Sequence, residues 1–438
     1  MLSSPDSELC RRDPAIRGLE TLLEPELLKS GVARAGTSLP LTDFVPSYLR
    51  YKPGTNCIVG FSSADSPRTI AFYGKAYALG SGKPKESSPA FDRSRGRIVL
   101  VSDGIELFIF PADAKLDLTG VPNPTVSWRA NAEELNKESG TDDDVSIETL
   151  TWRPERRCVF AKTVKKRTAA VIKAYSPVEF SRTLLRARAL EASGSGLFPV
   201  LQSADEARRY LIFSWSHGDL LQRSLENGSA LLPDFVRTGE QLAALHAMRM
   251  EALAVRSHEE EAEQLSRSAA MIGRLCPNLA DASAATAKRI AQELLKMPAG
   301  ESTLHGDFGA KQVVSSGESI AFLDFDEAAR GNAASDLGNF IARLEADAQC
   351  GTIRSELVAP VRAALMSGYQ STARLPSERE LSVHTAVGLF RVALEPFRRH
   401  DRDWPVGIEQ SLDRVLAILD GSIDPCPVAT TGAGLGWR

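Results

Sequence analysis

The first part of the chain alternates apolar and polar residues as strands do, and the later part carries apolar residues at helical spacing. Residues 1–35 read as a helical or loose lead-in. Strand-like sequence follows, and it occurs twice in related form. YKPGTNCIV from Tyr51 and WRPERRCVF from Trp152 share one order: aromatic, basic, Pro, three residues, Cys, apolar. Each precedes a strand bearing a lysine, TIAFYGKAY around Lys75 and TAAVIKAY around Lys173. The offset is about a hundred residues in both cases, which predicts two related β-ribbon units. VLVSDGIELFIFPADAKL (99–116) adds strand pattern and a turn. Residues 130–147 are polar and acidic and read as a linker.

From Ser176 the period changes. PVEFSRTLLRARALEA reads as one helix with Pro177 in its first turn. GLFPVLQSADEARRYLIFSWS then reads as strand, turn and strand. Helical pattern dominates after Asp219, in LPDFVRTGEQLAALHAM, EEEAEQLSRSAAMIGRLC and ASAATAKRIAQELLKM. A non-helical island, 301–340, interrupts it, and helices resume over 341–369 and 377–420. The tail PCPVATTGAGLGWR reads as frayed.

Composition adds only exclusions. The net charge of -4, with 43% hydrophobic and 25% charged residues, calls for neither a nucleic-acid partner nor a membrane. No apolar run approaches the ~20 residues of a membrane helix. Six scattered cysteines with no CxxC indicate neither zinc nor a disulfide framework, and fit a reduced, cytoplasmic setting. The sequence is silent on oligomeric state.

The island carries the chemistry: LHGDFGAKQVVSSGESIAFLDFDEAARGNAASDLGNF. VV and IAFLDF, joined by SSGES, predict a β-hairpin. Asp307 precedes its first strand and Asp324 ends its second, so both carboxylates fall at the same end. Gln312 borders the same loop. On a continuing strand Asp326 would share a face with Asp324.

This segment resembles the catalytic loop of the aminoglycoside phosphotransferase and choline kinase-like family, which has the protein-kinase fold. The matching residues are His305-Gly306-Asp307, then Gln312, then Asp324, with Gly331 and Asp336 beyond. The resemblance implies a bilobal α+β fold with a β-rich N-lobe and a mostly helical C-lobe. The implied division is an accessory strand-rich region 1–145, an N-lobe 146–218, a C-lobe 219–424 and a tail 425–438. It further implies ATP, Mg²⁺ and a small-molecule hydroxyl acceptor such as a sugar, aminoglycoside or amino alcohol. Asp307 would orient or deprotonate the acceptor hydroxyl, and Asp324 and Gln312 would be the magnesium ligands. Asp336 would anchor the loop and His305 brace it. Lys173 would face the phosphates, with Glu191 as its acid, and Phe213 and Trp215 would line the adenine slot. Lys75 is the repeat's other lysine. Gln312 stands where the family has Asn, and no Gly-rich phosphate loop is visible. Both departures motivate a second reading, a binding or regulatory protein on a retained kinase fold. The acidic HEEEAEQ from His258 would attract a cationic acceptor, or simply be a solvated helix face.

Overall fold

The computed structural model describes residues 2–34, 44–63, 66–78, 90–92, 97–100, 104–118, 145–192 and 194–421. Most of the expected linker and the whole of the expected tail lie outside the described residues. The last linker positions, 145–147, already belong to a strand. The chain divides into two compact units. One comprises Met1–Leu185, Val200–Trp215 and Glu395–Pro405, and the other Arg186–Pro199, Ser216–Leu394 and the segment from Val406.

The first unit is strand-rich. Helices α1 (Ser4–Arg12), α2 (Leu19–Leu23) and α3 (Pro25–Arg34) form the lead-in. Strands β1 (Phe44–Lys52), β2 (Asn56–Ser63), β3 (Ser66–Tyr77), β4 (Ala90–Asp92), β5 (Arg97–Leu100) and β6 (Ile105–Ile109) make a sheet ordered β1-β2-β3-β6-β5-β4. Strands β7 (Val145–Arg153), β8 (Arg157–Val164), β9 (Arg167–Tyr175), β10 (Leu201–Asp205) and β11 (Tyr210–Ser214) make a second, ordered β10-β11-β9-β8-β7.

The sequence repeat is therefore structural. Tyr51 lies opposite Cys57 and Trp152 opposite Cys158. Lys75 lies opposite Ile58 and Lys173 opposite Val159. Residues of both sheets share one core, with Ile58, Tyr73 and Phe108 packed among Trp152, Phe160 and Ile172. Tyr73 stacks on Phe108 and meets Trp152 edge-on, with centroids 4.8 and 5.3 Å apart. The C-terminal part of the chain returns to this unit at α12 (Glu395–Arg398), where the Trp404 indole donates to buried Asp6 at 3.1 Å.

The first unit also contains most of α4 (Pro177–Ala192), which opens on Pro177 as expected. In the second unit, helical spacing becomes α5 (Leu221–Glu226), α6 (Leu232–Ala247), α7 (His258–Leu275) and α8 (Ala280–Leu294). After the island come α9 (Ala334–Gln349), α10 (Val358–Thr372), α11 (Glu378–Val392) and α13 (Trp404–Leu419). Helix α9 begins inside the island expected to be non-helical through 340. A core of Phe235, Leu242, Phe308, Phe322, Leu337, Phe340 and Leu365 ties helices and island together. The buried Arg414–Glu345 pair, with two hydrogen bonds of 3.0 and 2.8 Å, locks α13 to α9. The architecture is bilobal α+β, strand-rich toward the N-terminus and largely helical beyond. No described helix is long and apolar enough to cross a membrane.

Candidate active site

The island is built from short ladders. Strand β12 (Asp219–Leu220) pairs with β14 (Val313–Ser315), which pairs with β15 (Ile320–Phe322) as the expected hairpin. Strand β13 (Ser302–Leu304) pairs with β16 (Ala329–Gly331), closing the loop from below. Between them run His305-Gly306-Asp307 and a one-turn helix Ala310–Gln312.

One buried carboxylate holds this loop. Asp336, 1% exposed, accepts from the His305 amide at 2.7 Å and the Gly306 amide at 2.9 Å. It also meets His246 Nε2 at 3.2 Å, and His246 Nδ1 lies 2.9 Å from the Tyr369 hydroxyl. An ionised carboxylate only accepts, so Nε2 carries the proton. Burial works to raise the Asp336 carboxyl, but the hydrogen bond and charge of His246, aided by His305, outweigh it and keep it below the ordinary value. Tyr369 reaches His246 because α10 lies close on α6. A Cβ on neighbouring Gly368 would sit 1.8 Å from the Val236 carbonyl oxygen.

Gly306 has φ +85°, and a Cβ there would meet the Glu327 carbonyl oxygen at 2.0 Å. Arg256 fills the remaining space, donating to the carbonyls of Gly306 at 2.9 Å and Glu327 at 3.0 Å. Asn339 on α9 donates to the Phe308 carbonyl at 2.7 Å. The loop is thus gripped on both sides of Asp307.

His305 links the loop to the hairpin. Its Nε2 donates to the Leu323 carbonyl at 2.7 Å, and its Nδ1 accepts from the Asp307 amide at 3.4 Å. Leu323 in turn donates its amide to the Gln312 carbonyl at 2.8 Å. These bonds bring Asp307, Gln312 and Asp324 to one end of the hairpin. Asp324 has φ 66° and ψ 56°, a left-handed conformation unusual outside glycine. The chain then turns into a one-turn helix, Phe325–Glu327, so the strand does not continue. Asp326 therefore lacks the shared strand face with Asp324 that a continuing strand would give. The Asp326 carbonyl accepts instead from Arg186 on α4.

Gln312 is 3% exposed, and its Oε1 has no hydrogen-bond partner. An orphaned amide oxygen is costly, and it is the donor type that magnesium takes. Asp307 pairs with Arg343 of α9. Burial works to raise Asp307, but the charges of Arg343 and Lys311 and the Arg343 hydrogen bond outweigh it, leaving its carboxyl below the ordinary value. Among the described residues, no group of three or more His, Cys, Asp or Glu side chains is arranged to hold a metal.

The nucleotide candidates of the strand-rich unit gather on adjacent strands. Lys173 on β9 lies opposite Leu211 on β11, and its Nζ stands 5.7 Å from the Phe213 ring centroid. Half-buried Trp215 follows β11, and its amide donates to the Ala169 carbonyl at 3.2 Å. Glu191 is exposed in the last turn of α4, and Glu179 pairs with Arg156 at 3.0 Å. Lys75 is occupied. It meets buried Glu155 at 2.5 Å, with Arg50 at 3.0 Å and Lys115 at 3.2 Å on the same carboxylate. Glu155 lies in the turn from β7 to β8. In the helical unit, a groove of about 530 Å³ beside α6 and the hairpin tip includes none of Asp307, Gln312 or Asp324 in its lining.

The family model described as "Phosphotransferase enzyme family" matches residues 161–381, just over half of the chain. The chain belongs to this family. A kinase-like fold and a general phosphotransferase function follow for this phosphotransferase-family chain. A search of curated proteins finds no match. Solved structures similar to it include a choline/ethanolamine kinase family protein from Mesorhizobium loti. The identity is 14%, covering 63% of this chain and 88% of that one, with a TM-score of 0.45. The ADP-bound aminoglycoside phosphotransferase APH(2″)-Ib gives 14%, 66%, 98% and 0.46 for the same quantities. An ethanolamine kinase from Plasmodium vivax gives 14%, 64%, 84% and 0.44.

The sequence did not single out Arg343, Arg256, His246, Tyr369 or Asn339. Asn339 lies inside the island, and the other four lie outside it, where only the fold brings them to the loop.

Proposed function

We propose that this phosphotransferase moves the γ-phosphate of ATP to a hydroxyl of a small molecule. The observation that carries the reading is the bracing of the loop around Asp307, by Asp336 on one side and by Asn339 on the other. Such bracing suits a reaction that depends on positioning and charge more than on covalent help from the protein. Asp307 orients the acceptor hydroxyl and takes its proton. The acceptor oxygen bonds to the γ-phosphorus as the bond to the β–γ bridging oxygen breaks, and ADP leaves with that electron pair. A carboxylate held ionised by Arg343 is a weak base but a firm hydrogen-bond acceptor, which suffices for a loose transition state.

Gln312 Oε1, buried and unpartnered, fits magnesium, and Asp324 is its acidic companion. When bound, Mg²⁺ supplies charge neutralisation on the phosphates. Two protein oxygens suit an ion that keeps waters and phosphate oxygens as its other ligands. Lys173 neutralises phosphate charge, and Phe213 and Trp215 flank the base. The chain divides functionally into an accessory region 1–145, a nucleotide lobe 146–218 and a catalytic lobe 219–424.

The test is Mg-dependent ATP consumption against pooled hydroxyl compounds. Asp307→Asn should lower kcat by about 10²–10⁴-fold. Turnover unaffected by that change would refute the assignment. The competing reading, nucleotide binding without turnover, draws on the Arg343 contact to Asp307 and on glutamine at position 312. It is supported if Mg-ATP binds but no pool is phosphorylated.

A further inference from the structure

We propose that Arg343 is a catalytic residue of this reaction: while it holds Asp307, its unused donors take an oxygen of the phosphoryl group in transfer. The inference rests on the phosphotransferase reading above and adds a residue to that site.

Helix α9 meets the loop with one face, through Asp336, Asn339 and Arg343, spaced as neighbours along a helix. The first two bond only backbone: Asp336 the amides of His305 and Gly306, Asn339 the Phe308 carbonyl. Arg343 alone bonds a reactive side chain. One of its terminal nitrogens donates to Asp307 Oδ1. Asp307 Oδ2 has no partner among the described residues, and the side chain is 31% exposed. The carboxylate is therefore divided, one oxygen for the guanidinium and the other for the acceptor hydroxyl. The hydroxyl oxygen that meets Oδ2 is the atom that bonds to phosphorus, so the phosphoryl group arrives beside the guanidinium. Arg343 can lie there because position 309 is bare. A Cβ on Gly309 would fall 2.6 Å from Arg343 Cδ, 3.4 Å from its Nε and 3.3 Å from Gln312 Oε1. That Nε and that Oε1 are both buried and without a hydrogen-bond partner. An unused donor beside an unused acceptor fits a ligand that carries both signs, and magnesium-bound phosphate is such a ligand.

The charge around the loop calls for such a cation. Asp307, Asp324, Asp326 and Glu327 lie on the loop and on the turn after the hairpin, and Asp336 holds the loop through its amides. Against these acids stand Arg256, Lys311 and Arg343. Arg256 uses both terminal nitrogens on the Gly306 and Glu327 carbonyls, and Lys311 is exposed. A phosphate group entering here meets net repulsion, which magnesium offsets on the nucleotide and Arg343 offsets at the acceptor end. As the acceptor oxygen bonds to the γ-phosphorus, the bond to the β–γ bridging oxygen breaks and ADP leaves with that electron pair. The hydroxyl proton passes to Asp307 Oδ2. Arg343 keeps its own protons throughout and acts on the equatorial phosphoryl oxygens, where the charge of the transition state lies.

The test uses the full chain with Mg-ADP, with and without aluminium fluoride, a mimic of the phosphoryl group in transfer. Fluoride should raise the Tm of the Mg-ADP-bound chain by several degrees beyond Mg-ADP alone. Arg343→Met should lose that increment and keep the shift given by Mg-ADP, and Arg343→Lys should recover part of it. With the hydroxyl pool that is phosphorylated, Arg343→Met should lower kcat about 10²–10³-fold and leave KM for ATP within about twofold. A fluoride increment retained in Arg343→Met overturns the inference and makes the arginine a clamp on Asp307 only. An unchanged kcat overturns it too, as does an unsubstituted chain that binds Mg-ADP and gains nothing from fluoride. Should Arg343→Met fail to fold, seen as the loss of its own melting transition, Arg343→Gln and Arg343→Lys carry the same comparison. If Mg-ADP itself fails to bind the unsubstituted chain, the phosphotransferase reading falls, and this inference with it.

Discussion

Asp336 concentrates the loop's order in one side chain. Removing it orphans two amides and the His246 imidazole inside the core. Asp336→Ala should cost about 3–5 kcal/mol in urea denaturation, and Asp336→Asn distinctly less. A second buried residue sets a pH dependence. His384 is 2% exposed with both ring nitrogens unpartnered, and burial, then the charge of His258, lower it from 6.5 to about 4. The folded chain thus holds it neutral while the unfolded chain protonates it below about 6.5. Stability should fall as pH drops from about 6.5 to about 4, by roughly 3 kcal/mol from this residue. His384→Gln should flatten that fall, measured as urea midpoints at pH 7 and 4.5. At this scale the motif residues were legible, because their order and spacing survive in sequence. Arg343 and Arg256 were not. They stand 36 and 50 positions from their loop partners, among 52 lysines and arginines.

Elements were legible where turn chemistry or caps mark them. The 313–322 hairpin follows from SSGES between two apolar runs, and α4 from Pro177 in its first turn. Helix α9 starts earlier than its pattern suggests; its N-cap Ala333 carries no capping side chain to mark the start, and the Ala334 amide donates instead to the Asn332 side chain at 2.9 Å. Its first turn carries Asp336, which faces the loop rather than its own helix. The turn after Asp324 likewise breaks a strand pattern without Gly or Pro, since the residue that bends is the left-handed aspartate itself. At Gly306 the left-handed turn and the Glu327 carbonyl leave no room for a methyl group. Gly306→Ala should abolish turnover and lower Tm by several degrees, checked by calorimetry beside the kinetic assay.

On the scale of the whole chain, the division into a strand-rich part and a helical part was readable from the change of period near Ser176. The intimacy of the two sheets was not. Repeats reveal kinship, not packing, and the shared core of Tyr73, Phe108, Trp152 and Phe160 exists only after folding. Residues 1–144 are therefore not removable. A chain beginning at 145 would expose the inner face of its own sheet, and its soluble yield should collapse relative to the full chain. Expression of both forms side by side checks this.

The contact of Lys75 with Glu155 has a consequence for stoichiometry. Lys75 occupies in the first sheet the register that Lys173 occupies in the second. Glu155, in the turn of the later copy, acts on the earlier one as a tethered ligand, at an effective concentration no dissolved anion matches. On the proposed function, only the later of the two lysine strands serves the nucleotide. Titration calorimetry should count one nucleotide per chain, and Lys75→Met should lower Tm without changing that count.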